Sequence, residues 1–166
     1  RDRDDMKRKV LDCEQLAYKV TANSIYGQLG ARTSAIYKME LAACTTSIGR
    51  ERIYDAKEGV IEWWKKEGYD DEPEVVYGDT DSIFVKFPRR KHSNDELLIG
   101  KEAVKHSIEC GKLAGDYITH MIHTKQKHTK QELEYEKTFW PFILISKKRY
   151  TGDKYEFSVD ELPKRT

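Results

Sequence analysis

Residues 74–87 read Glu74-Val75-Val76-Tyr77-Gly78-Asp79-Thr80-Asp81-Ser82-Ile83-Phe84-Val85-Lys86-Phe87. Two short runs rich in Val, Ile, Tyr and Phe, Glu74–Tyr77 and Ser82–Phe87, flank the polar tetrad Gly78-Asp79-Thr80-Asp81. β-Branched and aromatic residues suit a pleated, half-buried surface, and Gly and Asp suit a tight reversal. The stretch therefore predicts a β-hairpin with a polar tip. Pro88 has no N–H to give to a ladder and closes the second strand. Ahead of the hairpin, Asp70-Asp71-Glu72-Pro73 is a polar turn.

Outward from the hairpin the apolar period lengthens to three and four. Met6, Val10, Leu11, Leu16, Val20 and Ile25 predict a helix over 6–29, closed by Gly27 and Gly30. A second helix is expected over 33–67, ended by Gly68, with Leu41, Cys44, Ile48, Ile53, Ala56, Val60 and Trp63 as its buried stripe. A third is expected over 93–125, capped by Ser93 or Asn94 and with Asp95 or Glu96 in its first turn. Val104, Ile108, Gly111, Gly115, Ile118 and Ile122 form its inward stripe, where the two glycines permit close packing against a sheet. Residues 125–130 read as a basic linker, 132–146 as one or two strands, 147–152 as a loop or strand end, and 154–159 as a further strand. The order α-α-β-β-α-β-β is that of an α+β fold, with all strands in one antiparallel sheet backed by long helices.

The chain has 166 residues, 30 Lys+Arg against 29 Asp+Glu, and a net charge of +1. That length suits one domain, or one domain plus part of another. Charged residues make up 36% and apolar residues 38%, the composition of a soluble globular chain. No apolar run approaches the ~18–20 residues of a membrane-spanning helix, so no membrane partner is expected. The charged opening RDRDDMKRK leads into no apolar run and holds no initiating Met, so a segment of something longer without a signal peptide is expected. Cys13, Cys44 and Cys110 are odd in number and widely spaced, which predicts reduced, mostly buried thiols rather than a disulfide framework or zinc site. Near-neutral total charge predicts no partner by itself.

Three clusters could carry chemistry. In extended chain, residues i and i+2 face one way, so Asp79 and Asp81 can direct two carboxylates to one point. Paired carboxylates repel unless a cation joins them, and hard oxygen ligands suit Mg²⁺; the same residues also make an ordinary surface turn. An EF-hand is a poorer fit still, because the positions that need Gly and Glu hold Phe84 and Arg90. Lys19, Asn23 and Tyr26 are spaced i, i+4, i+7 and share a helix face, followed by Gly27. A cation, an amide and a ring in a row suit a ligand with phosphate at one end and a flat base at the other, or a solvated polar stripe. Lys147-Lys148-Arg149-Tyr150, after a strongly apolar stretch, suits a phosphodiester backbone or a solubilising strand end. His120 and His123 lack a third ligand by spacing and read as surface histidines.

Taken together, these residues resemble one family. Lys19-Val-Thr-Ala-Asn23-Ser24-Ile-Tyr26-Gly27 is similar to motif B (K-x-x-x-N-S-x-Y-G) of family B DNA polymerases, and Tyr77-Gly78-Asp79-Thr80-Asp81-Ser82 to their motif C. Leu133-Glu134-Tyr135-Glu136-Lys137, followed by Lys147-Lys148-Arg149-Tyr150, resembles the family's palm segment with its K-K-R-Y sequence. The style is that of eukaryotic replicative and large DNA virus members.

The resemblance implies templated DNA synthesis from dNTPs on primer–template DNA with two Mg²⁺ ions. It makes Asp81 the bridging metal ligand, Asp79 a neighbouring carboxylate, and Glu136 a further contributor to the metal site. It gives Lys19 and Asn23 to the incoming triphosphate, with Lys19 able to protonate the leaving pyrophosphate. Tyr26 and Gly27 lie at the nascent base pair, and Lys147, Lys148, Arg149 and Tyr150 at the primer strand. Residues 1–30 become the second fingers helix, and 31–166 the C-terminal part of an antiparallel palm. Motif A (D-x-x-S-L-Y-P-S), which supplies the other bridging Asp, does not occur in the sequence, so the segment alone is expected to be inactive. A processivity factor would engage parts outside this chain, and the setting is intracellular, at the nucleus or a virus replication site. The alternative is a catalytically silent nucleic-acid-binding remnant, or a designed or amplified segment that keeps the motifs but does no chemistry.

Overall fold

The structure is a computed structural model that describes residues 2–126, 130–156, 158–159 and 164–165. Its elements are α1 (Asp2–Gly30), α2 (Met39–Lys66), β1 (Glu74–Asp79), β2 (Ser82–Lys86), α3 (Lys101–Lys125), β3 (Thr138–Ser146), β4 (Arg149–Tyr155) and β5 (Lys164–Arg165). The α+β class is as expected. The strands do not form one sheet, however: β1 pairs with β2 alone, and β3-β4-β5 is a separate antiparallel sheet. Contacts divide the chain into two compact units at Gly49 and Arg50.

In the first unit α1 runs unbroken through Gly27, and its apolar residues Met6, Val10, Leu11, Leu16, Val20 and Ile25 are exposed. Thr21 and Ser24 turn their hydroxyls back onto the carbonyls of Ala17 and Val20, each at 2.8 Å. The second helix starts at Met39, not Thr33. Ser34 holds the intervening segment in turns, its carbonyl accepting from Tyr37 and its hydroxyl from Ile36, and the Lys38 N–H closes the loop on the Leu29 carbonyl at 3.0 Å. Serine competes with helix in this way because its side chain satisfies nearby backbone groups. Ala42 is buried, whereas Leu41, Cys44 and Ile48 of the expected stripe are exposed.

The second unit holds the core. Ala56, Val60, Trp63 and Trp64 of α2 meet Cys110, Ala114, Ile118 and Ile122 of α3, with Ile83, Val85 and Phe87 packed against them. Trp64 is fully buried between Tyr69, with ring centroids 3.8 Å apart, and Phe87 at 5.4 Å. Its indole N–H donates to the Asp71 carbonyl, so burial strands no polar group. Burial pushes the Cys110 thiol up to about 12, which makes it an inert core residue. Cys13 and Cys44 are exposed, contrary to the expectation of mostly buried thiols, because the helix faces that carry them are uncovered. At the rim of this unit, hydrogen bonding from Lys125 and the nearby Arg52 hold the Asp55 carboxyl below its ordinary range.

Two expectations fail for a shared reason: side-chain bonds displace regular structure. The third helix starts at Lys101, not Ser93. Ser93 and Asp95 are committed to a loop, the Ser93 N–H donating to Asp70 and the His92 N–H to Asp95, both at 2.8 Å. Arg90 fastens the same loop to Asp71 at 2.9 Å. Residues 132–137 are likewise not strand. They cross α3, where the Leu133 N–H donates to Thr119 Oγ1 at 2.9 Å. Gly111 and Gly115 admit this segment rather than a sheet: a Cβ would stand 2.6 Å from the Tyr135 ring at Gly111 and 2.8 Å from the Leu133 carbonyl oxygen at Gly115.

Each hairpin is bulged. Val75 pairs with Val85 and Tyr77 with Phe84, which leaves Val76 as the extra residue of β1. In β3 the register shifts between Phe139 and Phe142, where Pro141 has no N–H to lose. β4 begins directly after the Lys147-Lys148 turn, within the stretch expected as a loop or strand end. It stops at Tyr155, so the strand expected over 154–159 does not form; Phe157 lies outside the described residues, as do 127–129 of the expected basic linker.

Candidate active site

Asp79 ends β1 and pairs with Ser82, leaving Thr80 and Asp81 as the reversal. Thr80 adopts φ 35°, the left-handed region disfavoured for a β-branched residue. The chain is thus folded back rather than extended at this point, and the i, i+2 reasoning for the two carboxylates does not apply as stated. The reversal is held by the Asp81 N–H and the Ser82 hydroxyl, which both donate to the Asp79 carbonyl. The Asp79 side chain is 24% exposed and has three partners: Thr80 Oγ1 at 3.2 Å, the Tyr77 hydroxyl at 3.4 Å and Lys148 Nζ at 3.6 Å. Asp81 is exposed, and its carboxylate has no partner among the described residues. One charge is partly balanced and the other is open.

The cation facing Asp79 comes from the turn between β3 and β4. Lys147 and Lys148 form that turn, and Lys148 has φ 62°. Both lysines and Arg149 are exposed. Tyr150 behaves differently. Its ring lies 5.1 Å from Phe84 and 5.8 Å from both Phe139 and Phe142, inside an aromatic cluster that packs one hairpin on the other. Aromatic pairs of this kind contribute about 0.5–1.5 kcal/mol each beyond area burial. The packing brings the Asp-Thr-Asp tip and the Lys-Lys tip together.

Glu136 is not part of that meeting. Its carboxylate is 75% exposed and pairs with Lys137 at 3.1 Å. No group of three or more His, Cys, Asp or Glu is arranged to hold a metal among the described residues. Lys19, Asn23, Tyr26 and Gly27 lie in α1, in the first unit, and are exposed. A Cβ at Gly27 would have nothing within 4 Å, so this side of the helix is open to an approaching group. The sequence reading missed Tyr77, whose hydroxyl touches both tips. Its contact to Lys148 spans 71 positions, and nothing local signals it.

Comparison with known proteins gives these motifs a family. The sequence profile of DNA polymerase family B matches residues 1–163. A DNA polymerase of Pyramimonas orientalis virus is 45% identical over 162 residues, covering 98% of this chain and 12% of that protein. The DNA polymerase delta catalytic subunit of Oryza sativa subsp. japonica is 38% identical over 151 residues, 90% of this chain and 12% of that protein. That of Candida albicans is 36% identical over 153 residues, 92% of this chain and 13% of that protein. The chain therefore spans about one-eighth of the length of these curated relatives. With a profile match over nearly every residue and three motifs in order, the chain belongs to DNA polymerase family B.

Proposed function

We propose that the chain is a catalytic-core segment of a DNA-directed DNA polymerase, joining dNTPs to a primer 3′-hydroxyl under template direction. Residues 1–30 serve as the second fingers helix and 31–166 as the C-terminal part of the palm. The observation that carries this reading is Lys148 Nζ standing 3.6 Å from Asp79, a primer-holding cation beside the carboxylates where phosphoryl chemistry would occur. The names of the relatives, a viral DNA polymerase and delta catalytic subunits, point the same way.

The donor set fits a hard divalent cation. Asp79 and Asp81 offer only carboxylate oxygens, and the open charge of Asp81 has no partner to displace among the described residues. Asp81 and Asp79 would hold two Mg²⁺ ions, whereas Glu136, paired with Lys137 and away from the two tips, is given no part in holding them. When bound, such ions supply Lewis acidity to the attacking hydroxyl and charge neutralisation to the leaving pyrophosphate. Lys19 binds the triphosphate and donates a proton to the departing pyrophosphate, and Asn23 sits beside the same group. Tyr26 and Gly27 border the nascent base pair. Lys147, Lys148 and Arg149 hold the primer backbone, and Tyr150 sets their hairpin against the catalytic one. The other bridging carboxylate comes from outside this sequence, so the 166 residues alone add no nucleotides. The setting is intracellular, at the nucleus or a virus replication site, and any processivity factor engages other parts of the protein.

Steady-state primer extension by the full-length polymerase carrying this chain tests the reading. Lys19→Ala removes charge-assisted hydrogen bonds to phosphate and is expected to lower kcat/KM for dNTP about 10- to 100-fold, with primer–template affinity unchanged. No templated addition by the unaltered protein, or an unaltered kcat/KM in the variant, contradicts it.

A further inference from the structure

Between the two hairpin tips stands a side chain to which the chemistry above gives no task. The Tyr77 hydroxyl accepts the backbone N–H of Lys148 at 3.0 Å and faces Asp79 Oδ2 as a donor at 3.4 Å. Lys148 Nζ lies 3.6 Å from that same carboxylate oxygen. One phenol thus bridges the Asp79 carboxylate and the backbone of the residue whose ammonium faces that carboxylate.

Two features make this arrangement more than a surface contact. Lys148 has φ 62°, a left-handed conformation that is costly for a residue with a Cβ and persists where the surroundings hold it. The N–H that Tyr77 engages belongs to that strained residue. The phenol ring is itself fixed by both hairpins, with centroids 5.4 Å from Phe84 and 6.4 Å from Tyr150. Its hydroxyl therefore occupies a position set by packing. The Lys148 side chain, by contrast, is 70% exposed, and four flexible methylenes would otherwise let its ammonium wander.

We infer that Tyr77 is a positioning residue, whose hydroxyl clamps the Lys147-Lys148 turn so that the Lys148 ammonium stands over Asp79. The clamp rests on geometry alone; its consequence for primer binding rests on the polymerase reading. With the turn clamped, the cation meets the primer backbone at a fixed distance from the carboxylates. Without it, the same charge is present but is spread over many positions.

Tyr77→Phe tests this in the full-length polymerase, because it deletes the hydroxyl and keeps the ring. Hydrogen–deuterium exchange at the Lys148 amide is expected to quicken severalfold. The KM for primer–template is expected to rise about threefold to tenfold, the scale of one hydrogen bond, with KM for dNTP unchanged. On a Lys148→Ala background the same substitution should add nothing to KM, since no ammonium remains to be placed. Unchanged amide exchange overturns the clamp whatever the activity does. Faster exchange with an unchanged primer–template KM, or with additive effects in the double variant, overturns the positioning role. If the unaltered protein extends no primer while Tyr77→Phe still quickens exchange, the clamp stands and the polymerase reading fails.

Discussion

Lys148 shows how little energy the decisive contact involves. An ion pair this exposed contributes about 0–1 kcal/mol, so it is not what holds the two hairpins together. The aromatic cluster of Phe84, Phe139, Phe142 and Tyr150 does that, and it leaves the lysine free to serve a ligand. Lys148→Ala should therefore leave folding intact and change the salt dependence of primer–template binding. Each lost phosphate contact makes the slope of log K against log salt less negative by about 0.9. Fluorescence anisotropy across a salt series measures that slope, and an unchanged value would remove the backbone role. The chemistry of each tip is legible from residue types, since paired carboxylates and clustered cations announce themselves. Their meeting is not, because the aromatic residues that arrange it read in sequence as ordinary strand formers.

The helices separate two uses of glycine that look alike in the sequence. Gly27 lies inside α1, with nothing within 4 Å of a Cβ. Gly115 lies inside α3, with the Leu133 carbonyl oxygen 2.8 Å from a Cβ. Alanine at either site gains up to about 1 kcal/mol of helix propensity. At Gly115 the backbone of the crossing segment cannot yield as a side-chain end would, and overpacking at about 1–3 kcal/mol outweighs that gain. Hydrogen exchange resolved by helix should be slower in α1 for Gly27→Ala and faster in α3 for Gly115→Ala. A loss of incorporation in Gly27→Ala would then report on the approach of a base pair and not on unfolding. Periodicity located all three helices, and residue type the hairpin. It failed at Thr33–Lys38, Ser93–Gly100 and Glu132–Lys137, where Ser34, Asp70, Asp95 and Thr119 take up backbone N–H groups that helix or sheet would have used. Of those bonds, the ones to Asp70 and Thr119 depend on partners outside the local pattern.

At the scale of the whole chain, charge and burial tell one story. A net charge of +1 conceals a carboxylate tip and a cation tip that face each other across two hairpins. No helix among the described residues is long and apolar enough to cross a membrane, yet Leu11, Leu16, Ile143 and Ile145 are all more than half exposed. The relatives that the chain matches are about eight times longer than the chain itself. The central claim is the proposal that Asp81, whose carboxylate has no partner among the described residues, is a ligand of the metal in nucleotide addition. Single-turnover nucleotide incorporation by Asp81→Asn in the full-length polymerase, with primer–template affinity measured on the same preparation, tests it most directly. The account predicts that the incorporation rate falls by at least ~100-fold, the scale of losing one preorganised electrostatic group, while affinity for primer–template is retained. Incorporation at the unaltered rate would contradict it.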